Sequence, residues 1–167
     1  MSHAHVKAAA GLEGLQPLVG KWHTEGRQHA SPFGPAAAFV AVETCEWLHG
    51  GQFLIHRMEG HFDRQAAACV EVLGKGADGR LFAQSFYQDG RRNEWLVEAD
   101  RQVVKISGTW AQGAGEPLRV RYTATFEDAG NTLVAQWEQS RDGQDWQLFI
   151  ESRATKAQPL PDSSIGV

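Results

Sequence analysis

The sequence predicts an all-β fold, a closed up-and-down antiparallel barrel of about ten strands, with a short N-terminal helix. Three observations carry that expectation. Aromatic and β-branched residues alternate with polar ones along most of the 167-residue chain. Turn signals interrupt this alternation at roughly 8–12-residue spacing, as in sandwiches and barrels. Each strand can pair with its predecessor through a short turn, and closing such a meander removes the edges that a long open sheet would expose.

Residues 1–11 are expected to form a flexible start, and Ala8–Leu18 is the one stretch with helical character, stopped by Pro17 and Gly20. The strands are expected at Lys21–His29, Ala36–Leu48, Gln52–Phe62, Ala68–Lys75 and Arg80–Gln88. They continue at Arg91–Glu98, Gln102–Trp110, Pro117–Glu127, Thr132–Ser140 and Asp145–Thr155. Turns fall at His49-Gly50-Gly51, Ala77-Asp78-Gly79, Gln88-Asp89-Gly90, Asp128 to Asn131 and Asp142-Gly143, where Asp-Gly supplies the positive φ of tight hairpins. Alternation is clean where Leu118, Val120, Tyr122, Ala124 and Phe126 interleave with Arg119, Arg121, Thr123, Thr125 and Glu127. Trp146, Leu148 and Ile150 likewise face away from Gln147 and Glu151. In Ala36–Leu48 the pattern leaves the inner face open. Residues 12–156 make up the barrel domain, and the Pro- and Ser-containing tail 157–167 is expected to be mobile.

Composition narrows the function classes. The net charge is −4, and the 16 Lys and Arg residues are scattered, with Arg91-Arg92 the only adjacent pair, so no basic stripe is available for nucleic acid. No apolar run approaches the roughly 18 residues that span a bilayer, and the N-terminus lacks the pattern of a signal peptide. The expected location is the cytoplasm, with Cys45 and Cys69 as free thiols. Gly-x-Ser-x-Gly, phosphate-loop and Cys-x-x-Cys motifs are absent from the sequence, and no Rossmann fingerprint, a glycine-rich turn leading from a strand into a helix, is expected in it.

Leu18-Val19-Gly20-Lys21-Trp22 carries a Gly-x-Trp after a short helical segment, and Arg153 lies on the last strand. In this the chain resembles the calycins, the lipocalin-like barrels, in which such a Trp closes one end beneath a cation from the final strand. That resemblance places Arg153 over Trp22. Gly26, Pro32-Phe33-Gly34-Pro35, Glu46-Trp47-Leu48-His49-Gly50-Gly51-Gln52-Phe53-Leu54, Arg57-Met58-Glu59-Gly60, and Asp142-Gly143 with Trp146 extend the match. With them the chain resembles a bacterial lipocalin-like family, domain of unknown function 1579, similar in turn to the nitrobindins. The resemblance covers roughly residues 12–156 and implies the fold far more than an activity. Nitrobindins hold haem iron through a histidine on a late strand; this chain has no histidine after His61, so neither haem nor another cofactor is expected.

Among the candidate residues His56 stands apart. His3 and His5 lie on the flexible start, His23 and His29 share a polar face, and His49 sits in a turn. His56 shares a strand face with Leu54 and Met58, opposite Ile55, Arg57 and Glu59. Burying Arg57 and Glu59 unpaired would be costly, so the Leu54–His56–Met58 face is expected inside. His56 and His61 fall on opposite faces, which speaks against a zinc site. Six tryptophans are many for a core of this size; Trp22 and Trp146 read as packing, while Trp95, Tyr122 and Trp137 are expected to line a cavity. The expected lining is Leu54, His56, Met58, Phe86, Trp95, Tyr122 and Trp137. Glu43, Glu46, Glu59, Glu94 and Glu98 lie in strands without forming an acid–base pair along the chain, and a strand glutamate ordinarily faces water.

These features point to a barrel that binds a small apolar or aromatic molecule, with His56 as its polar anchor. Among apolar walls His56 is expected to be neutral unless a carboxylate lies beside it. The alternative is a small isomerase, cyclase or hydrolase on the same scaffold with His56 as general acid or base. A third possibility is an interaction protein with a filled interior, whose outer sheet pairs two copies into a homodimer.

Overall fold

Ten antiparallel strands close into one barrel, in the cyclic order β1-β10-β9-β8-β7-β6-β5-β4-β3-β2. The computed structural model describes residues 6–111 and 115–157. The strands are β1 (Gly20–Gln28), β2 (Ala37–Trp47), β3 (Phe53–Phe62), β4 (Gln65–Lys75) and β5 (Leu81–Tyr87). They continue as β6 (Arg92–Ala99), β7 (Val103–Trp110), β8 (Leu118–Glu127), β9 (Thr132–Ser140) and β10 (Gln147–Lys156). Each pairs with its sequence neighbour, and β1 also pairs with β10, so no edge remains open. Asp-Gly turns join β4 to β5 and β5 to β6, where Gly79 and Gly90 take φ of +82° and +85°.

The expected helix is much shorter than Ala8–Leu18. Only Glu13–Leu18 forms a helical turn, of the 3-10 type, with Pro17 inside it. Proline lacks the N–H that a longer α-helix needs at that position. This turn and the irregular segment before it close one end of the barrel: Leu12 and Leu15 are fully buried, and Val6, Ala8 and Ala9 pack against the same core. The Glu46–Leu54 motif makes the receiving surface. Ala9 N–H donates to Gly51 O at 2.9 Å, and Trp47 Nε1 donates to Gln16 Oε1 at 3.0 Å. The most recognisable stretch of the sequence is therefore structural closure. Of the expected mobile tail, all but Ala157 lies outside the described residues.

Trp22 is buried at the closed end and donates its Nε1–H to Leu18 O at 2.8 Å. The cation beside it is Lys156, whose Nζ stands 4.6 Å from the ring centre. Arg153 lies three residues earlier and opposite Glu25 on the outer face, where it pairs with Glu127 at 3.2 Å. Lys156 is the direct cross-strand partner of Trp22, which corrects the expectation that Arg153 would cap the ring. A second correction concerns β10. The register shifts between Leu148 and Ile150, so one strand face does not carry Trp146, Leu148 and Ile150 together. Ile150 stands opposite Trp137 while Leu148 stands opposite Glu138, and Phe149 at the irregularity is buried. Trp146 packs beneath Arg121, 4.2 Å away, and that guanidinium forks onto Glu138 at 2.6 and 3.0 Å.

Candidate active site or binding site in the barrel interior

The inner face of β3 carries Leu54, His56 and Met58, because their cross-strand partners on β2 are Trp47, Cys45 and Glu43. On β4 their partners are Leu73, Glu71 and Cys69. This register sets His56 between two carboxylates. Its Nε2 meets Glu43 Oε2 at 2.7 Å, and its Nδ1 meets Glu71 Oε2 at 2.7 Å. The second oxygen of each carboxylate is also occupied. Thr24 Oγ1 donates to Glu43 Oε1, and Ser85 Oγ donates to Glu71 Oε1 at 2.6 Å. Ser85 in turn accepts the indole N–H of Trp95 at 2.8 Å. Thr24, Glu43, His56, Glu71, Ser85 and Trp95 thus form one hydrogen-bonded belt, with one residue from each of β1 to β6.

Charge follows from this geometry. Burial works against a protonated imidazole, but the two hydrogen-bonded carboxylates outweigh it and hold the His56 pKa well above 6.5. Burial likewise opposes ionised Glu43 and Glu71, and their bonds to His56 outweigh it and hold both below 4.5. The Cys45 thiol, pushed up by burial to about 11, is neutral at physiological pH, so the negative charge facing the imidazolium is that of the two carboxylates. His56 is consequently charged rather than neutral, because both neighbours that would reverse the expectation are present. The expectation that strand glutamates face water also fails at Glu43.

Water reaches part of this belt. The side chains of His56, Glu43 and Glu71 keep 17%, 22% and 13% of their exposure. Toward the closed end the interior is dry, with Leu54, Leu73, Ala83, Trp95 and Val97 all buried. Toward the opposite end Met58, Cys69, Tyr87 and Trp110 are only half-buried. Phe33, from the loop between β1 and β2, reaches over that end, stacking on Phe149 at 4.5 Å and meeting Trp110 at 5.2 Å. Arg91 lies 5.3 Å from Trp110 and 5.6 Å from Tyr87 at the same rim.

Trp95, Tyr122 and Trp137 do meet inside the barrel. Tyr122 and Trp137 are cross-strand partners with centroids 4.7 Å apart, and Trp95 stands 6.0 Å from Trp137. Leu54 and Trp95 belong to the dry floor, while His56, Met58, Tyr122 and Trp137 stand where exposure begins. Gly108 is needed for this packing, since a Cβ there would fall 2.8 Å from Trp95 Cε3. Phe86 is not part of the lining. Its neighbours Ser85 and Tyr87 pair with the inner residues Glu71 and Cys69, so Phe86 points outward and is 45% exposed.

Glu71, Thr24 and Ser85 were not expected in the site. A local signal for the carboxylates exists: Glu43 shares parity with Phe39, Ala41, Cys45 and Trp47, and Glu71 with Cys69 and Leu73. A glutamate interrupting an apolar strand face is the mark of a buried, paired carboxylate. Among the described residues no group of three or more His, Cys, Asp or Glu side chains is arranged to hold a metal ion. No helix among them is long and apolar enough to cross a membrane. A depression of about 1000 Å³ lies outside the closed end, lined by Lys7, Glu13, Gln16, Glu46, Arg101 and Lys156 among others. Most of its polar side chains are exposed, and Gln16 and Lys156 are spent on closing contacts to Trp47, Pro17 and Trp22, so the chemistry is concentrated in the interior belt instead.

A closed ten-strand barrel with an internal Glu–His–Glu belt defines the class. The chain belongs to the family described as protein of unknown function (DUF1579), whose family model matches residues 10–156. It is similar in fold to Rv2717c from M. tuberculosis, with a TM-score of 0.64 and 13% identity over 91% of this chain and 100% of that one. No curated protein matches the sequence.

Proposed function

We propose that the barrel is a cytoplasmic binding protein for a small molecule with a largely apolar body, held between the Tyr122–Trp137 wall and the Glu43–His56–Glu71 belt. The carrying observation is that a charged, hydrogen-bonded cluster inside a barrel stays partly exposed. Pockets that bind small molecules combine aromatic walls with a few convergent polar groups in this way. The resemblance to lipocalin-like barrels supports the same reading, and the free Cys45 and Cys69 fit a reducing compartment. An enzyme using His56 as general base is less well supported. Both of its nitrogens are engaged with carboxylates, so neither is free to take a substrate proton.

A neutral naphthyl probe such as N-phenyl-1-naphthylamine tests the proposal. It should gain fluorescence on binding and quench tryptophan emission. Met58→Trp, which fills the space beside the belt without breaking it, should abolish both signals while leaving the circular dichroism of the barrel unchanged. Undiminished binding to a folded Met58→Trp protein would place the probe elsewhere and overturn the reading.

A further inference from the structure

The hydrogen-bond inventory of the belt is unbalanced, and the imbalance bears on what the interior can hold. Every donor in it is consumed internally. His56 uses both N–H groups on carboxylates, Thr24 and Ser85 use their hydroxyls on the remaining oxygens, and Trp95 uses its indole N–H on Ser85. The acceptors are not used up. A carboxylate has about four lone-pair sites, and Glu43 and Glu71 each accept only one bond per oxygen. Two carboxylates against one imidazolium also leave an excess of one negative charge.

Among the described residues no other cation corrects this excess. Lys156 is held at the closed end by Pro17 O at 2.9 Å and by the Trp22 ring, and Arg91 sits at the opposite rim against Asp89 at 2.6 Å. Neither pairs with Glu43 or Glu71. A second, separate observation lies on the far wall. Gln139, an inner residue by its pairing with Val120, is buried with its Oε1 accepting no hydrogen bond among the described residues. One donor without a partner among the described residues, Asn93 Nδ2, faces the interior beside Ser85, so a single acceptor on a ligand would be met as well. Tyr122 and Tyr87, whose phenols burial holds strongly neutral, add hydroxyls but no charge.

We infer that the interior selects a small organic cation bearing N–H donors, a protonated amine or amidine on an apolar or aromatic body, and rejects carboxylates and phosphates. The donors would take the open lone pairs of Glu43 and Glu71, and the positive charge would lie near the electron-rich faces of Tyr122 and Trp137. An anion of the same shape would meet two carboxylates whose charge repels it, and only the neutral donors of Asn93 and the tyrosines to set against that repulsion. This inference rests on the interior-binding reading above and adds to it the sign of the ligand.

The test uses three probes of one shape: 1-naphthylmethylamine as the cation, 1-naphthalenemethanol as the neutral form and 1-naphthoate as the anion. Binding is followed by calorimetry and tryptophan quenching at pH 7. The amine is expected to bind at least ten-fold more tightly than the alcohol, and the carboxylate to bind most weakly. Glu43→Gln should narrow the gap between amine and alcohol, and Met58→Trp should abolish binding of the amine, which separates interior binding from attraction to the acidic surface. If no probe binds, the interior-binding reading fails. If the probes bind but the carboxylate equals or exceeds the amine, that reading stands and the inference of a cationic ligand is overturned. Should Glu43→Gln not fold, the order of the three probes on the unmodified protein decides alone.

Discussion

His56 Nδ1 donates to Glu71 Oε2 across 2.7 Å, and the pair joins two neighbouring strands by opposite charges inside the barrel. Glu43 binds the other nitrogen at the same distance, so the imidazolium is clamped from both sides. A clamp of this kind stabilises the fold only while all three groups are ionised, and its consequences can be measured.

The first is a stability window in pH. His56, raised in the fold above 6.5, contributes fully below that value and loses its contribution as pH climbs through the higher folded pKa. Glu43 and Glu71, lowered in the fold, contribute above 4.5 and lose their contribution as pH falls through the lower folded pKa values. Urea denaturation should therefore show greatest stability between about pH 4.5 and 6.5, with decline on both sides. Stability that keeps rising from pH 6 to pH 9 would contradict the clamp.

Removing the central member exposes what it neutralises. His56→Leu leaves two carboxylates facing each other without a cation and should cost about 3–5 kcal/mol, the range for breaking a buried ion pair. Replacing all three groups by apolar residues of similar volume should cost much less, because no unpaired charge is left behind. A single His56→Leu variant as stable as the parent in chemical denaturation would mean that the carboxylates are solvated.

At the closed end the two cations should behave differently. Trp22→Ala should cost about 3–5 kcal/mol through the cavity left by a buried ring. Lys156→Ala should cost more than Arg153→Ala, since Arg153 makes only exposed pairs, worth at most about 1 kcal/mol. The reverse order in thermal melts would restore the arrangement expected from the resemblance.

Gly108→Ala tests the packing of Trp95 directly. A methyl group 2.8 Å from the indole must displace it, with an expected loss of about 1–3 kcal/mol. Moving the ring should also weaken its bond to Ser85 and shift tryptophan emission to the red. Unchanged emission would show that the ring yields without leaving its partner.

Hemin offers a last check. With both His56 nitrogens engaged, no interior imidazole among the described residues is free to ligate iron, and titration with hemin should give no one-to-one Soret shift. A shift that vanishes in His56→Ala would require the clamp to open.

Strand positions, hairpin turns and the inner placement of Leu54, His56 and Met58 were determined by the sequence alone, because period-two alternation and Asp-Gly turn chemistry are local. Tyr122 and Trp137 were legible for the same reason. What only the tertiary structure decided is who meets whom across strands. Glu43, His56, Glu71 and Ser85 are 13, 15 and 14 residues apart, and they touch only because three successive antiparallel registers bring them to one level. Register depends on the length of each connecting turn, and an error of one residue turns an inner side chain outward. The same sensitivity explains Phe86, read as lining although its parity is that of the outer face, and the β10 irregularity that separates Leu148 from Ile150. It explains Lys156 beneath Trp22 as well, since the partner of that ring is set by the register of the closing strands. The charge on His56 belongs with these: it is a property of two carboxylates that folding brings to its ring, not of the residues beside it in the chain.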